Sequence, residues 1–559
     1  MKRRIAIGLV LLSAMFAGVA WMWSARAPRW NVLLVTLDTT RADRLGCYGF
    51  AQATTPNLDQ LAARGVLFER AYTVAPITLP AHATLHTGLL PPEHGLRING
   101  MSRLPEGVPT LAELLKQHGY RTGAFVSSLV LDTRFGLSRG FDVYDDQLSD
   151  GPTGPQPERS ADESVSAASS WLRVNAKRPF LCWVHLYDPH EPYQSHPEEF
   201  GSQFADRPYD GEIAYVDRQL GRLFEVLAKT GTQDRTIVVV VGDHGEGLGE
   251  HHEVTHGYLA YNSTLHVPLL MRHPQQVVVG QRVKESVSLV DIFPTILDAL
   301  RLPILTGGSG RSLGLGRSHS VLEPRACYAE TEAPLMEGGW EPLSSWTTER
   351  WKYIHSTRSE LYDLQSDPLE LKNVLEQQPD ESARLSQALA EFASKLTLRQ
   401  GSAVGLSSQE QRALATLGYA GGQAPAQKNE SPRRDIKDTL LYAEQVHSCM
   451  HLIDQKKTKE AQRILENVVA VLPDYPKAWG TLGVCRAVQG DHGQALLHFR
   501  KALELDANQN FARIGLGRSL YALQRLEEAA EELETALRYD PAATDAQYFL
   551  QQVSRKLKR

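Results

Sequence analysis

The sequence predicts an α/β layered unit followed by an all-helical repeat unit, and three observations carry that expectation. Trp30–Leu37 (WNVLLVTL), 179–187 (PFLCWVHLY) and 236–245 (TIVVVVGDHG) are continuous apolar, β-rich runs, the pattern of strands buried on both faces of a parallel sheet. Helical patterns lie between them, as at 55–62 (TPNLDQLA) and 110–118 (TLAELLKQH), and this alternation is what a layered α/β fold requires. Near the C-terminus the period changes: Ala461, Ala495 and Ala529 are 34 residues apart, as are Leu465, Phe499 and Leu533, and Gly483 and Gly517.

Length and composition bound the rest. A chain of 559 residues exceeds a single core and fits roughly three or four domains. The net charge is −6, with no long basic stretch, so nucleic-acid binding is not expected. The five cysteines are widely spaced without a CxxC pair, which argues against a disulfide framework or a zinc–cysteine site.

The elements follow in chain order. Lys2-Arg3-Arg4 precede the uncharged stretch Ile5–Trp23, about 28 Å of helix and close to the roughly 30 Å hydrocarbon core. We read residues 1–27 as an uncleaved signal anchor, with the basic cluster cytoplasmic and the rest of the chain membrane-anchored and extracytoplasmic. A cleaved signal is the alternative, because Ala25-Arg26-Ala27 has the A-x-A form. The first strand ends at Asp38, at a strand C-terminus, where open α/β sheets place ligand-binding residues. Thr55-Pro56 is a helix start, and the run Ala83–Gly88 is expected to be helical. A Gly/Ser/Arg-rich stretch at 300–323 reads as a surface loop. The strand-like pieces Ala326–Glu330, Lys352–Ser356 and Glu360–Asp363 predict a small antiparallel subdomain. The expected boundaries are therefore 28–310 for the catalytic domain, 311–399 for its C-terminal subdomain, 400–437 for a Gly/Pro-containing linker and 438–559 for the repeats.

Several polar clusters interrupt the apolar pattern. Thr78 begins TLPAH, and Asp243-His244 follow an apolar run as Asp38 does. A hydroxyl at a helix N-terminus sees the positive end of the dipole, which favours an alkoxide and the anion it attacks. Two carboxylates, one imidazole and one hydroxyl make a four-ligand site for Zn, Mn or Mg, and such an ion activates a poor nucleophile. Further clusters are YDPHEPY (187–193) and HHEVTH (251–256). Glu246 and Glu250 are expected to hold their loop, and Asp43, Asp59 and Asp291 to act as caps or structural polar groups.

Across residues 31–373 the chain resembles the sulfatase family of the alkaline phosphatase superfamily. The matching stretches are NVLLVTLDTTRADRLGCYG, TTPNLDQLAARGVLFERAY, LPAHATLHTGLLPPEHG, HLYDPHEPY, GDHGEGLGEHHEVTHGYLAYNSTLHVPLLMRHP, VSLVDIFPTIL and ELYDLQSDPLELKN. The resemblance implies a mixed, mainly parallel sheet between helices with a small C-terminal antiparallel sheet. It implies Asp38, Thr78, Asp243 and His244 as ligands of a divalent ion (Zn, Mn, Mg or Ca) and Thr78 as nucleophile. It implies His190 as a residue contacting the ester or protonating its leaving group, and His256 as a contact of the anionic group. Three departures accompany it. The family's second aspartate is Thr39, its C-x-P-x-R reads T-x-P-x-H with His82 in the arginine position, and the segment after His94 lacks the Gly-Lys-Trp-His that supplies another cationic contact. Asp188 is a candidate ligand of a second ion. The 34-residue period resembles tetratricopeptide repeats and implies a helical solenoid that binds a protein or peptide partner; an unrelated helical bundle is the alternative.

Position 78 shapes the functional expectation. Family members that oxidise a Cys or Ser to formylglycine use its hydrate, whose second hydroxyl expels sulfate. A threonine carries a methyl on that carbon, so formylglycine is not expected and Thr78 stays an alcohol. A phosphorylated threonine is readily relieved by in-line attack. The sequence thus leads us to expect phosphoester hydrolysis or phospho-group transfer outside the cytoplasm, with His82, His190 and His256 binding the anion or moving protons. The alternatives are hydrolysis of sulfate esters of glycans and, from another class, a membrane-tethered scaffold with a silent catalytic domain. The expected substrate is an anionic ester of a glycan, lipid head group or envelope polymer.

Overall fold

The computed structural model describes residues 30–558 except 149, 152, 153, 156, 157, 276, 277, 306, 317–321, 405–432 and 542. The expected N-terminal anchor lies outside the described residues. Among the described residues no helix is long and apolar enough to cross a membrane.

An eight-stranded mixed sheet organises the first unit. In chain order its strands are β1 (Asn31–Leu37), β2 (Val66–Phe68), β3 (Arg121–Phe125), β4 (Val143–Asp145), β5 (Phe180–Leu186), β6 (Thr236–Gly242), β7 (Leu269–Arg272) and β8 (Gln281–Val283). They lie side by side as β8-β2-β7-β6-β1-β5-β3-β4. β1 pairs in parallel with both β6 and β5, so the three apolar runs of the sequence are adjacent central strands. Antiparallel β7 pairs with β6 and makes the sheet mixed.

Each central strand is buried along its whole length because both faces are covered. Val32 and Leu34 of β1 join one apolar cluster with Leu79, Ala83 and Leu85, whereas Leu33, Val35 and Leu37 join another with Val165, Val216 and Leu220. The helices concerned are α1 (Pro56–Arg64), α2 (Thr78–Thr87), α3 (Leu111–Gln117), α4 (Ala161–Asn175) and α5 (Pro208–Lys229). The predicted helices at 55–62 and 110–118 correspond to α1 and α3. α2 starts five residues earlier than Ala83, at Thr78 itself, which sets the hydroxyl in the first turn of the helix.

The antiparallel subdomain is a four-stranded sheet: β9 (Cys327–Thr331), β10 (Leu343–Thr347), β11 (Trp351–His355) and β12 (Glu360–Asp363). β10 (LSSWT) escaped the sequence reading because it holds a single short apolar alternation. Helix α6 (Pro379–Ser394) covers this sheet through Leu385 and Leu389, packed with Tyr328, Tyr353 and Leu361.

Among the described residues seven helices follow: α7 (Leu440–Asp454), α8 (Thr458–Val471), α9 (Pro476–Val488), α10 (His492–Leu505), α11 (Asn510–Ala522), α12 (Leu526–Tyr539) and α13 (Thr544–Leu557). The 34-residue period has a direct packing cause. Ala461, Ala495 and Ala529 are fully buried. A Cβ on Gly483 would meet the Phe499 ring at 2.7 Å, and one on Gly517 would meet Leu533 at 2.7 Å. The small residues thus admit the large residues of the next helix. The last part of the expected linker is not free chain: Asp435 accepts hydrogen bonds from Ser356 Oγ at 2.8 Å and the Arg358 amide at 2.9 Å. All five cysteines are unpaired.

Candidate active site

Two adjacent strand ends build the floor of the site. The Asp38 amide donates to Leu186 O at 2.9 Å and the Asp243 amide to Leu37 O at 3.2 Å, so the ladder continues one residue beyond β1 and β6 and delivers both carboxylates to one place. The chain then turns sharply. Thr39 has φ 48°, a rare conformation for a β-branched residue and one that clusters at functional sites. Gly245 approaches Ser263 so closely that a Cβ would lie 2.1 Å from its carbonyl oxygen.

Helix α2 supplies the hydroxyl. Thr78 Oγ1 lies 3.2 Å from His244 Nε2. The His244 Nδ1–H donates to Gly245 O at 3.0 Å, which leaves the Nε2 lone pair as the ligand atom. His244 Nε2 is 3.7 Å from Asp38 Oδ1 and 3.5 Å from Asp243 Oδ2. The ligand atoms of Asp38, Asp243 and His244 all lie within 4.8 Å of one another, and all three residues are buried.

The donor set fits a divalent cation. Asp38 Oδ1, Asp243 Oδ2 and Thr39 Oγ1 are buried oxygens without a hydrogen-bond partner among the described residues. Unpartnered buried carboxylate oxygens are costly unless a cation meets them. Burial pushes the Asp38 carboxyl well above its ordinary range, with repulsion from Glu246 and Glu158 adding to it. Asp243 moves the same way, through burial and then the proximity of Asp38. Three oxygens and one imidazole suit Mg²⁺, Ca²⁺, Mn²⁺ or Zn²⁺.

The structure distributes the expected histidines unequally. His190 follows β5, donates Nδ1–H to Glu191 O at 2.7 Å and stacks on Tyr187 with ring centroids 4.4 Å apart. His256 donates Nδ1–H to Glu246 Oε1 at 3.1 Å. The His256 ring is 4.4 Å from that of His244 and 5.0 Å from that of His190. These two therefore stand beside the ligand group, where an ester would sit. Burial lowers His190 to about 3 and His256 to about 4.

His82 reaches the ligand group from beneath, with Nδ1 3.5 Å from Asp243 Oδ2, and it forms a second buried group with His185 and Asp243. Its Nδ1–H donates to Thr78 O at 2.8 Å, and its Nε2 is 2.9 Å from Thr36 Oγ1. Thr36 Oγ1 in turn accepts from Trp183 Nε1 at 3.0 Å. Both ring nitrogens are engaged, and burial holds its pKa well below the ordinary value. These bonds give His82 a geometric part as well: it ties the first turn of α2 to β1 beneath Thr78. Asp188 stands apart from the Asp38–Asp243–His244 group: both its oxygens accept from the Ala161 amide, at 3.1 and 2.9 Å, at the start of α4.

Other expectations match. Asp59 accepts from Thr55 Oγ1 at 3.2 Å and Asp291 from the Ser288 amide at 3.0 Å, both structural contacts. Glu250 pairs with Arg41 at 2.8 Å. Glu246 does more than hold its loop, since it orients His256. Two contributors were missed. His185 donates Nε2–H to Asp38 Oδ2 at 3.0 Å while its Nδ1 accepts from the Ser127 amide at 3.3 Å, so it aims the carboxylate; a histidine inside an apolar strand was the available signal. Arg41 bonds Glu246 O at 3.1 Å and clamps the exit of β1 to the loop after β6.

Comparison with known proteins adds the family. Residues 30–302 match the sulfatase family model, and residues 249–397 match the N-sulphoglucosamine sulphohydrolase C-terminal model. The N-terminal unit belongs to the sulfatase family. Tetratricopeptide models match 450–510 and 488–553. The uncharacterized sulfatase YidJ of Escherichia coli is 26% identical over 451 residues, covering 66% of this chain and 87% of the relative. The Δ4,5-hexuronate-2-O-sulfatase of Bacteroides thetaiotaomicron is 25% identical, covering 62% and 84%. Among solved structures, the phosphonate monoester hydrolase of Agrobacterium radiobacter superposes with TM-score 0.56 at 24% identity, covering 66% of this chain and 96% of that one. A 2-O GAG sulfatase gives TM-score 0.56 at 23% identity, covering 66% and 91%. These likenesses place the sulfatase unit in the expected fold.

Proposed function

We propose that the sulfatase unit is a metal-dependent sulfuric-ester hydrolase acting on sulfated glycans. The carrying observation is the Thr78 hydroxyl held 3.2 Å from His244 in the Asp38–Asp243–His244 group, within a chain whose curated relatives include a hexuronate sulfatase and an ulvan-active sulfatase. Those relatives favour sulfate over the phosphoester substrate suggested by threonine chemistry alone.

A divalent ion bound there would polarise the ester and lower the pKa of the hydroxyl. The residues of the chain do the rest. Thr78 Oγ1 attacks sulfur, the bond from sulfur to the ester oxygen breaks, and the sulfuryl group passes to Thr78. The unprotonated Nε2 of His190, whose Nδ1–H is tied to Glu191 O, takes the proton of the Thr78 hydroxyl and passes it to the departing alcohol. His256, aimed by Glu246, stands beside the reacting group, and the N-terminus of α2 binds the anionic oxygens. Water then attacks the same sulfur, releasing sulfate and returning the Thr78 hydroxyl.

Purified full-length protein loaded with Ca²⁺, Mg²⁺, Mn²⁺ or Zn²⁺ tests this on sulfated oligosaccharides beside matched phosphomonoesters and phosphodiesters. Sulfate release at the higher kcat/KM supports the proposal; phosphate release at the higher kcat/KM sinks it. The phosphoester reading keeps one observation in its favour: an unmodified alcohol lacks the second hydroxyl that would expel sulfate without attack at sulfur.

A further inference from the structure

The repeat unit is not simply tethered to the sulfatase unit. Leu440, Ala443 and Val446 of α7 share one buried cluster with Leu259, Ala260 and Tyr261 and with Trp340, Leu343 and Ile354. Glu337 accepts hydrogen bonds from Tyr258 Oη at 3.1 Å and Lys477 Nζ at 2.8 Å, and also from Tyr475 Oη. One carboxylate thereby joins the loop after β6 to α9.

That loop carries His256. Its internal bonds include Leu248 N to Val254 O at 3.0 Å and Gly249 N to Glu253 O at 2.8 Å. Glu253 accepts from the Tyr258 and Leu259 amides at 2.8 and 3.0 Å. The Val254 amide, two residues before His256, donates instead across the domain boundary to Glu444 Oε1 of α7 at 2.7 Å. His447 lies one turn further along the same helix, with its ring 5.3 Å from that of His451. Burial lowers His447 to about 4, with the charges of Lys477 and His451 adding to it.

We propose that the first tetratricopeptide helix is part of the active site, with Glu444 as the positioning residue for the loop that presents His256. This deepens the sulfatase reading and rests on it for the catalytic part. An unpaired Val254 amide would let the loop relax, and displacement of a contacting group lowers turnover without touching the nucleophile. A glutamine retains the accepting carbonyl oxygen and an alanine does not, which separates the hydrogen bond from the helix itself.

The test uses the full chain with Glu444→Ala and Glu444→Gln. Glu444→Ala is expected to lower kcat about fivefold to tenfold, the scale of one lost hydrogen bond, with an unchanged Tm. Glu444→Gln is expected to stay within about twofold of wild type on the same scale. Amide hydrogen exchange of segment 247–259 is expected to accelerate in the alanine variant and not in the glutamine variant. Unchanged exchange in Glu444→Ala overturns the proposal whatever the activity, as does accelerated exchange with wild-type turnover. A wild-type protein inert on every ester, with the exchange difference present, instead sinks the sulfatase reading and leaves the positioning of the loop standing.

Discussion

Replacing Asp243 by asparagine should affect the metal-free and the metal-loaded protein in opposite ways. The ligand oxygens of Asp38 and Asp243 lie within 4.8 Å, so two ionised carboxylates repel by at least about 3.5 kcal/mol at an effective dielectric of 20. Both carboxyls are raised above the ordinary range, by burial first. A raised carboxyl binds more protons folded than unfolded above the unfolded pKa of about 4, so metal-free stability falls as pH rises through the folded values. The asparagine Oδ1 can still accept from the Thr39 amide and the His244 amide, as Asp243 Oδ1 does at 3.3 and 2.7 Å. The substitution therefore removes charge without removing the local bonds. Thermal unfolding at pH 8.5 in EDTA should give a higher Tm for Asp243→Asn than for wild type, with about 3.5 kcal/mol as the scale of the relief. With saturating divalent ion the order reverses: at 100-fold excess over Kd wild type gains about 2.7 kcal/mol, and the variant gains little. A metal-free variant less stable than wild type, or equal stabilisation of both by metal, would refute the argument that the pair is held apart for a cation.

Three other outcomes are expected. His86 is fully buried with neither ring nitrogen bonded among the described residues, and burial holds it near 3; because the unfolded chain protonates it near 6.5, stability should fall as pH drops from about 6.5 towards 3, by about 1.4 kcal/mol per unit for this group. His86→Phe should flatten that acid limb in urea titrations between pH 4 and 6, and an unchanged slope would count against it. Gly483→Leu places a branched side chain where a Cβ alone would meet the Phe499 ring at 2.7 Å, so the helices of the repeat unit should lose at least about 1–3 kcal/mol, read as faster amide exchange in α9 and α10. His82→Leu breaks the link from Thr36 to Thr78 and should lower kcat about tenfold while KM changes little, since a positioning group acts on the nucleophile; a rise in KM alone would assign it to substrate binding instead.

The fold was legible where physics repeats itself. Runs such as NVLLVTL have only one comfortable place in an α/β protein, and the Ala/Leu/Gly period of the repeats follows from helices fitting small against large. The Asp38–Asp243–His244 group was legible because its members end two such runs, which parallel pairing makes adjacent. What spacing could not show is direction. His82 and His256 are both histidines beside active-site segments, yet one points under α2 into a Thr36–Trp183 chain and the other towards His190. Asp188 lies two residues from His190 but caps α4. The docking of α7 was equally hidden, because Glu444 and Val254 are 190 residues apart and neither carries a motif.

The most direct measurement is sulfate release from an aryl sulfate by metal-loaded wild type and Thr78→Ala, each with and without EDTA. EDTA is expected to abolish turnover and Thr78→Ala to lower it on the order of 10³-fold or more, with the variant's fold and metal-induced stabilisation largely kept. Thr78→Ala within tenfold of wild type, or turnover indifferent to EDTA, would contradict it.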